Sequence, residues 1–338
     1  MSLVFDKHRL ISALALPPSA VRQPCSVARR HNADTVLTIG LVNNMPDAAL
    51  QATERQFKGL LRAAAGTRIV DLRYFSLRSV KRSWAAQSRI ERFYTKTAEL
   101  GRLRLDGLIV TGAEPNAPSL SQEPYWQEFI ELVDWAKANT RSTIWSCLAA
   151  HAAVLHLDGI ERHRLAQKCS GVFDCYKMTD HWLTRDVGSS LRVAHSRLNE
   201  LKRTDLVARG YQVLTQSHDA GIDIFSKQLG SHFLFFQGHP EYDAMSLQRE
   251  YRRDVGRYLA GQRDNYPAIP SGYFDDETEY GLAEFESRAR VERNPALIAG
   301  VPRLVVRADA ATGAAVTLMF RNWLQYLAGD EVALARVS

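Results

Sequence analysis

No uninterrupted apolar run in the 338-residue sequence approaches the roughly 20 residues that a membrane-spanning helix requires, so no membrane partner is expected. The opening Met1-Ser-Leu-Val-Phe-Asp-Lys-His8 lacks a positive region, an apolar stretch and a small-residue cleavage site, and a cytoplasmic location is the expectation. Cysteine is scarce. Cys25, Cys147, Cys169 and Cys175 are too far apart and too irregular for a disulfide framework or a CxxC metal site, so no metal is assigned to them. The net charge of +6 comes without a Lys/Arg run or an aromatic-interleaved basic strand, which argues against nucleic acid and suits a small anionic ligand. Walker and dinucleotide glycine motifs are absent too, and no bound cofactor is expected.

What the chain does have is a hydrophobic content of 46% with 9% aromatics, too rich for disorder and enough to bury a substantial core. Residues 1–34 read as an irregular leader. Strand character then alternates with helix: 35–42, 67–75, 106–111 and 142–146 are short β-branched or apolar runs. Between them lie a stripe of Leu50, Phe57, Leu60, Leu61 and Ala64, another of Tyr125, Phe129, Leu132, Val133 and Ala136, and the Ala-rich segment Leu148–Leu155. Such alternation predicts a mostly parallel sheet covered on both faces. The stretch 160–210 is polar and reads as loops and an insertion beside the sheet. Strands return at 211–215, 222–225 and 233–237, followed by a long helix over 242–260. A Pro/Gly/acid-rich loop over 262–295 and a helix over 314–328 complete a C-terminal extension, 262–330. One α/β domain over 35–330 is the expected organisation.

Two junctions lie at the carboxyl ends of predicted strands, where open α/β sheets bind ligands. At the first, Cys147 is wedged between a strand and a helix. There the helix N-terminus favours a thiolate, and the backbone N–H of Leu148 is one natural oxyanion donor. The turn Gly112-Ala113 on a neighbouring strand offers the N–H of Ala113 as another. At the second, His239 and Glu241 stand two apart in Gly238-His-Pro-Glu-Tyr242. A histidine there can take a thiol proton and the carboxylate can orient the imidazole. Each feature alone also fits a plain structural role: a buried cysteine, a loop histidine, a first-turn helix carboxylate. The order Cys, His, Glu at two strand ends favours a triad.

The same segments carry a family resemblance. Leu41-Val-Asn-Asn-Met-Pro46, Asp106-Gly-Leu-Ile-Val-Thr-Gly-Ala113, Tyr125-Trp126 and Ser146-Cys147 resemble the homoserine O-succinyltransferases, acyltransferases related to class I glutamine amidotransferases. Lys168-Cys-Ser-Gly-Val172, Ala194-His-Ser-Arg197, Gly238-His-Pro-Glu-Tyr-Asp-Ala244, Arg253-Asp254 and Asn322-Trp-Leu324 continue the resemblance in one order, from about residue 35 to 328. It implies a flavodoxin-like, doubly wound fold, with Cys147 carrying the acyl group as a thioester, His239 as general base and Glu241 supporting it. It further implies Lys168, Ser196 and Arg253 as substrate contacts, and a guanidinium grips a carboxylate bidentately. Read without the family, these three are a solvated lysine, a loop serine and a surface arginine.

Where the family selects its acyl group, typically glycine for succinyl and glutamate for acetyl, this chain has Asn116, whose neutral side chain does not repel a succinyl carboxylate. The family's lysines after Met45-Pro46 give way to Asp47-Ala-Ala-Leu50. The expected activity is succinyl transfer from succinyl-CoA to the hydroxyl of L-homoserine, within methionine biosynthesis, with acyl-CoA as substrate and a homodimer as the assembly. Acetyl-CoA as donor and L-serine as acceptor stay open, since one methylene is worth only about 1–3 kcal/mol of discrimination. A glutamine amidotransferase-like hydrolase is the alternative, though Ser146 and Leu148 stand where that group usually has glycines.

Overall fold

The computed structural model describes residues 36–307 and 313–330; the leader read over 1–34, with Cys25, lies outside them. The elements in chain order are β1 (Leu37–Val42), α1 (Asp47–Ala65), β2 (Val70–Phe75), α2 (Trp84–Phe93), β3 (Gly107–Thr111), α3 (Trp126–Asn139), β4 (Ser142–Ser146) and α4 (Leu148–Asp158). Then come β5 (His163–Lys177), β6 (Ser190–Glu200), α5 (Arg203–Ala208), β7 (Gln212–Ser217), β8 (Gly221–Gln228), β9 (His232–Phe236), α6 (Ser246–Leu259), α7 (Asp276–Glu292) and α8 (Ala314–Ala328).

A single nine-stranded sheet runs in the order β2-β1-β3-β4-β9-β8-β7-β5-β6. Its first five strands are parallel, in the flavodoxin arrangement with β9 in the fifth place. Every residue of β3 and β4 is buried, the small polar Ser142, Thr143 and Ser146 of β4 included, because helices cover both faces of the sheet there. One face packs on α3 and α4 through Phe129, Val133, Trp145, Val154 and Phe233. The other packs on α1 and α8 through Phe57, Leu61, Ile144, Phe236, Phe320 and Trp323. The expected α/β doubly wound fold is therefore present. The C-terminal helix is seated firmly: Trp323 Nε1 donates to Ser142 Oγ at 3.0 Å. A Cβ on Gly107 would come within 2.6 Å of Leu327 and 2.9 Å of Trp323, so only glycine admits α8 that close.

The stretch 160–210 departs from expectation. Instead of loops beside the sheet, it supplies β5 and β6, antiparallel strands of 15 and 11 residues that belong to the sheet itself. A register shift between Arg164 and Cys169 breaks the alternation that would have marked β5 as a strand. The loop read over 262–295 likewise contains α7. Asp275 caps it by accepting from the Thr278 N–H at 2.9 Å, and its narrow stripe of Leu282, Phe285 and Ala289 packs against Leu247, Tyr251 and Val255 of α6. Acidic residues between those apolar positions hid the period. Among the described residues no helix is long and apolar enough to cross a membrane.

Candidate active site

Parallel pairing of β4 with β9 sets Ser146 beside Phe236, so the two strands end together. Cys147 follows one end and Gln237-Gly-His239 the other, and the Cys147 N–H donates to the Phe236 carbonyl at 2.7 Å. Cys147 holds φ 52° and ψ −112° at the foot of α4, a strained backbone for a residue with a Cβ. Such strain costs on the order of 1–3 kcal/mol and persists only where packing enforces it. Gly112 takes part in that packing: a Cβ there would lie 2.3 Å from Leu148 Cβ and 2.8 Å from the Ala149 nitrogen. The Gly112-Ala113 turn thus abuts the first turn of α4. Leu148, as the first helical residue, presents an N–H with no partner within the helix.

His239 is buried, and its Nδ1 stands 2.9 Å from Glu241 Oε1, while the Cys147 thiol is a further hydrogen-bonding partner of the ring. Burial opposes charge on this imidazole. The carboxylate of Glu241 and the sulfur of Cys147 outweigh it and hold His239 well above its ordinary 6.5. Tyr242 stacks on the ring at 4.3 Å between centroids. Its hydroxyl donates to Glu250 Oε1 at 2.7 Å. Farther beneath, His151 of α4 is fully buried and reaches Gln237 Oε1 at 3.1 Å; burial lowers it to about 3, so it is neutral.

Lys168, Ser196 and Arg253 come from three different elements, yet one pair of carboxylates on α6 gathers them. Ser196 Oγ donates to Glu250 Oε2, which Lys168 Nζ approaches at 3.4 Å. Lys168 Nζ also donates to Asp254 Oδ2 at 3.1 Å, and Arg253 grips Asp254 Oδ1 through Nε at 3.0 Å and Nη2 at 2.9 Å. Burial would raise the carboxyls of Glu250 and Asp254, but Lys168 and the donated hydrogen bonds hold both below their usual range. The Arg253 side chain remains 48% exposed, able to turn toward a ligand.

Asn116 stands exposed in the loop after β3. Its side-chain amide donates to the Glu114 carbonyl at 3.5 Å, and its backbone is fixed, since the Asn116 and Ala117 N–H groups donate to buried Glu123 at 2.5 and 2.6 Å. Sequence reasoning passed over Glu250, Asp254, Tyr242 and Glu123. For the first two a signal exists: Glu250, Arg253 and Asp254 fall three and four apart, on one helix face. After Met45-Pro46, Asp47 accepts from the Ser83 N–H at 2.8 Å. Arg82 binds the carbonyls of Asn43 and Met45, closing the turn that the family's lysines follow.

Similarity to known proteins extends over nearly the whole chain. A family model described as homoserine O-succinyltransferase matches residues 22–334. A homoserine O-succinyltransferase of Rhodopseudomonas palustris is 56% identical over 332 residues, covering 98% of this chain and 100% of the relative. That of Bradyrhizobium japonicum is 54% identical, covering 97% and 99%. A glutamine amidotransferase structure from Thermotoga maritima aligns with TM-score 0.46 at 13% identity, covering 88% of this chain and 99% of that one.

Proposed function

Because this chain belongs to the homoserine O-succinyltransferase family, we propose that it moves a succinyl group from succinyl-CoA to the L-homoserine hydroxyl through a thioester on Cys147. The observation that carries this reading is the buried His239, held between Glu241 at 2.9 Å and the Cys147 thiol. The raised basicity of His239 means that a proton taken from Cys147 rests on the imidazole, leaving a thiolate to attack the CoA thioester carbonyl. The N–H groups of Leu148 and Ala113 receive the oxyanion. CoA departs as the carbon–sulfur bond breaks, and the imidazolium returns the proton to its sulfur. Acylation removes the thiolate charge, so the neutral imidazole is then free to take the homoserine hydroxyl proton as the oxygen attacks the acyl-enzyme. Collapse of the second tetrahedral intermediate expels Cys147, and the proton on His239 rejoins the Cys147–His239 pair.

A zwitterionic acceptor finds counter-charges on α6, with Arg253 for its carboxylate and Glu250 for its ammonium. Lys168 and Ser196 are assigned as further contacts through the same cluster. Asn116 is the proposed acyl-selecting position, and methionine biosynthesis the pathway served. Incubation with succinyl-CoA alone, followed by intact mass analysis, is expected to add one succinyl group to Cys147. Four product assays then pair succinyl-CoA or acetyl-CoA with homoserine or serine, and O-succinylhomoserine is the expected dominant product. No acyl adduct, or full transfer by Cys147→Ala, would overturn the reading.

A further inference from the structure

Beneath His239 lies a polar group that the mechanism does not use. Cys175, His195 and Asp223 are wholly buried, with ligand-type atoms within 4.8 Å of one another. Cys175 Sγ is 3.9 Å from His195 Nε2, which stands 3.4 Å from Asp223 Oδ1. A metal ion is one reading of such a set, but the proton positions argue otherwise. Arg197 Nε donates to His195 Nδ1 at 3.4 Å, and a guanidinium only donates. The proton of the neutral ring is therefore on Nε2, facing Asp223, and no lone pair remains there for a metal.

The surroundings of this group show what it holds. Asp223 Oδ2 accepts from Thr215 Oγ1 at 2.8 Å, fixing the carboxylate. The Asp223 carbonyl accepts from the Gln237 N–H at 2.8 Å, and the carbonyl of Ala194, next to His195, accepts from the His239 N–H at 2.7 Å. Both sides of Gly238 are thus tied to the two strands that carry the pair. Gly238 itself rests on the side chains: a Cβ there would lie 2.5 Å from Asp223 Oδ1, 2.7 Å from Val193 Cγ1 and 3.0 Å from His195 Nε2. A turn that closes on its support this tightly moves if the support moves.

We infer that His195 and Asp223 are positioning residues for His239: their side chains form the floor on which Gly238 sits, and so set the distance of the imidazole from Cys147. The inference rests on the proposed role of His239 as base. It gains a separate footing from a readout that needs no acyl donor, the pH dependence of Cys147 alkylation by iodoacetamide in the free enzyme. The groups facing His239 that shape this profile are Glu241, Cys147, Tyr242, Glu250 and His195.

His195→Leu is expected to lower kcat per titrated Cys147 by about 10- to 100-fold, as small misplacements of a catalytic group do, with KM for either substrate changed less than about threefold. It should also move the His239 ionisation in the alkylation profile toward its ordinary value. His195→Gln, which keeps a donor near the Nε2 position, should restore most of both. The combination of His195→Leu with Asp223→Asn should cost about as much as the worse single change, because the pair acts as one floor. An unchanged profile and unchanged per-site rate, with only the melting temperature or the titratable thiol reduced, would mean a structural role and overturn the inference. One equivalent of metal held by the purified enzyme would overturn it as well. Should no acyl-enzyme form, the alkylation profile still decides whether His195 positions His239.

Discussion

The hydrogen bond from the Cys147 N–H to the Phe236 carbonyl, at 2.7 Å, ties the start of α4 to the end of β9, so one strand pair holds both Cys147 and the turn that carries His239. The proposed nucleophile and base lie far apart in the chain, but the parallel ladder between β4 and β9 ends at both. Changes to that junction should therefore read out as loss of rate before loss of fold.

Gly112→Ala tests the junction from the side of β3. Its methyl must displace Leu148 or Ala149 at the foot of α4, where the contact would be 2.3 Å. Overpacking of this kind costs about 1–3 kcal/mol. The acyl-enzyme rate should fall at least about tenfold, measured by single-turnover mass analysis, since a shift of the elbow misplaces the nucleophile.

Glu241→Gln removes the carboxylate that raises His239, so His239 should titrate closer to its ordinary 6.5. A histidine raised on folding stabilises the protein fully below its unfolded value and loses that contribution as pH rises through the folded value. Wild-type protein should accordingly lose stability on the alkaline side of neutrality, and Glu241→Gln should show less of that loss. Melting temperatures across pH 6–9 in the two proteins check the sign. The variant's kcat should fall by roughly 10- to 100-fold, less than the ~100- to 10,000-fold that a positioned general base itself contributes, because His239 remains in place.

Lys168→Met leaves Glu250 and Asp254 facing each other without their shared cation. Both carboxyls, held low in the wild type, should rise. A carboxylate depressed on folding contributes stability above its unfolded value and loses it as pH falls through the folded value. The variant should therefore lose less stability than wild type between about pH 5 and pH 3 while being less stable at neutral pH by about 1–3 kcal/mol. KM for homoserine should rise more than kcat falls, as expected for a contact made in ground and transition states alike.

Asn116→Glu sets a second negative charge where a succinyl carboxylate is proposed to lie. The ratio of kcat/KM for succinyl-CoA over acetyl-CoA should drop at least about tenfold, the size of a like-charge penalty of about 1.4 kcal/mol. An unchanged ratio would remove Asn116 from the acyl-selecting role.

Much of this arrangement is legible in the chain because its parallel half obeys simple rules. Runs such as Gly107–Thr111 and Ser142–Ser146 are short, buried on both faces and free of charged residues. Cys147 and His239 follow directly from where those strands end. The antiparallel half escapes the same reading. β5 mixes exposed Arg164 and Asp174 with Lys168, which turns in to α6, and it changes register between Arg164 and Cys169, so no steady period survives. Glu250 and Asp254 were hidden for a different reason. Their importance comes from partners on β5 and β6, and a helix face of charges looks like any solvated surface until those strands are known to lie against it.

The sheet also divides the labour of the site. Cys147 and His239 follow the ends of the parallel strands β4 and β9, while Lys168 and Ser196 stand on the antiparallel β5 and β6. The proposed acceptor contacts therefore meet the Cys147–His239 pair in two places, at the α6 carboxylates and at the Ala194 carbonyl of β6, which accepts from the His239 N–H. On the proposed reading, change at Lys168 and Ser196 retunes which hydroxyl is accepted, whereas change at Ala194 or His195 in the same arm moves the base as well. If Lys168 and Ser196 read the acceptor as proposed, the route to a new acceptor in this scaffold runs through its antiparallel edge.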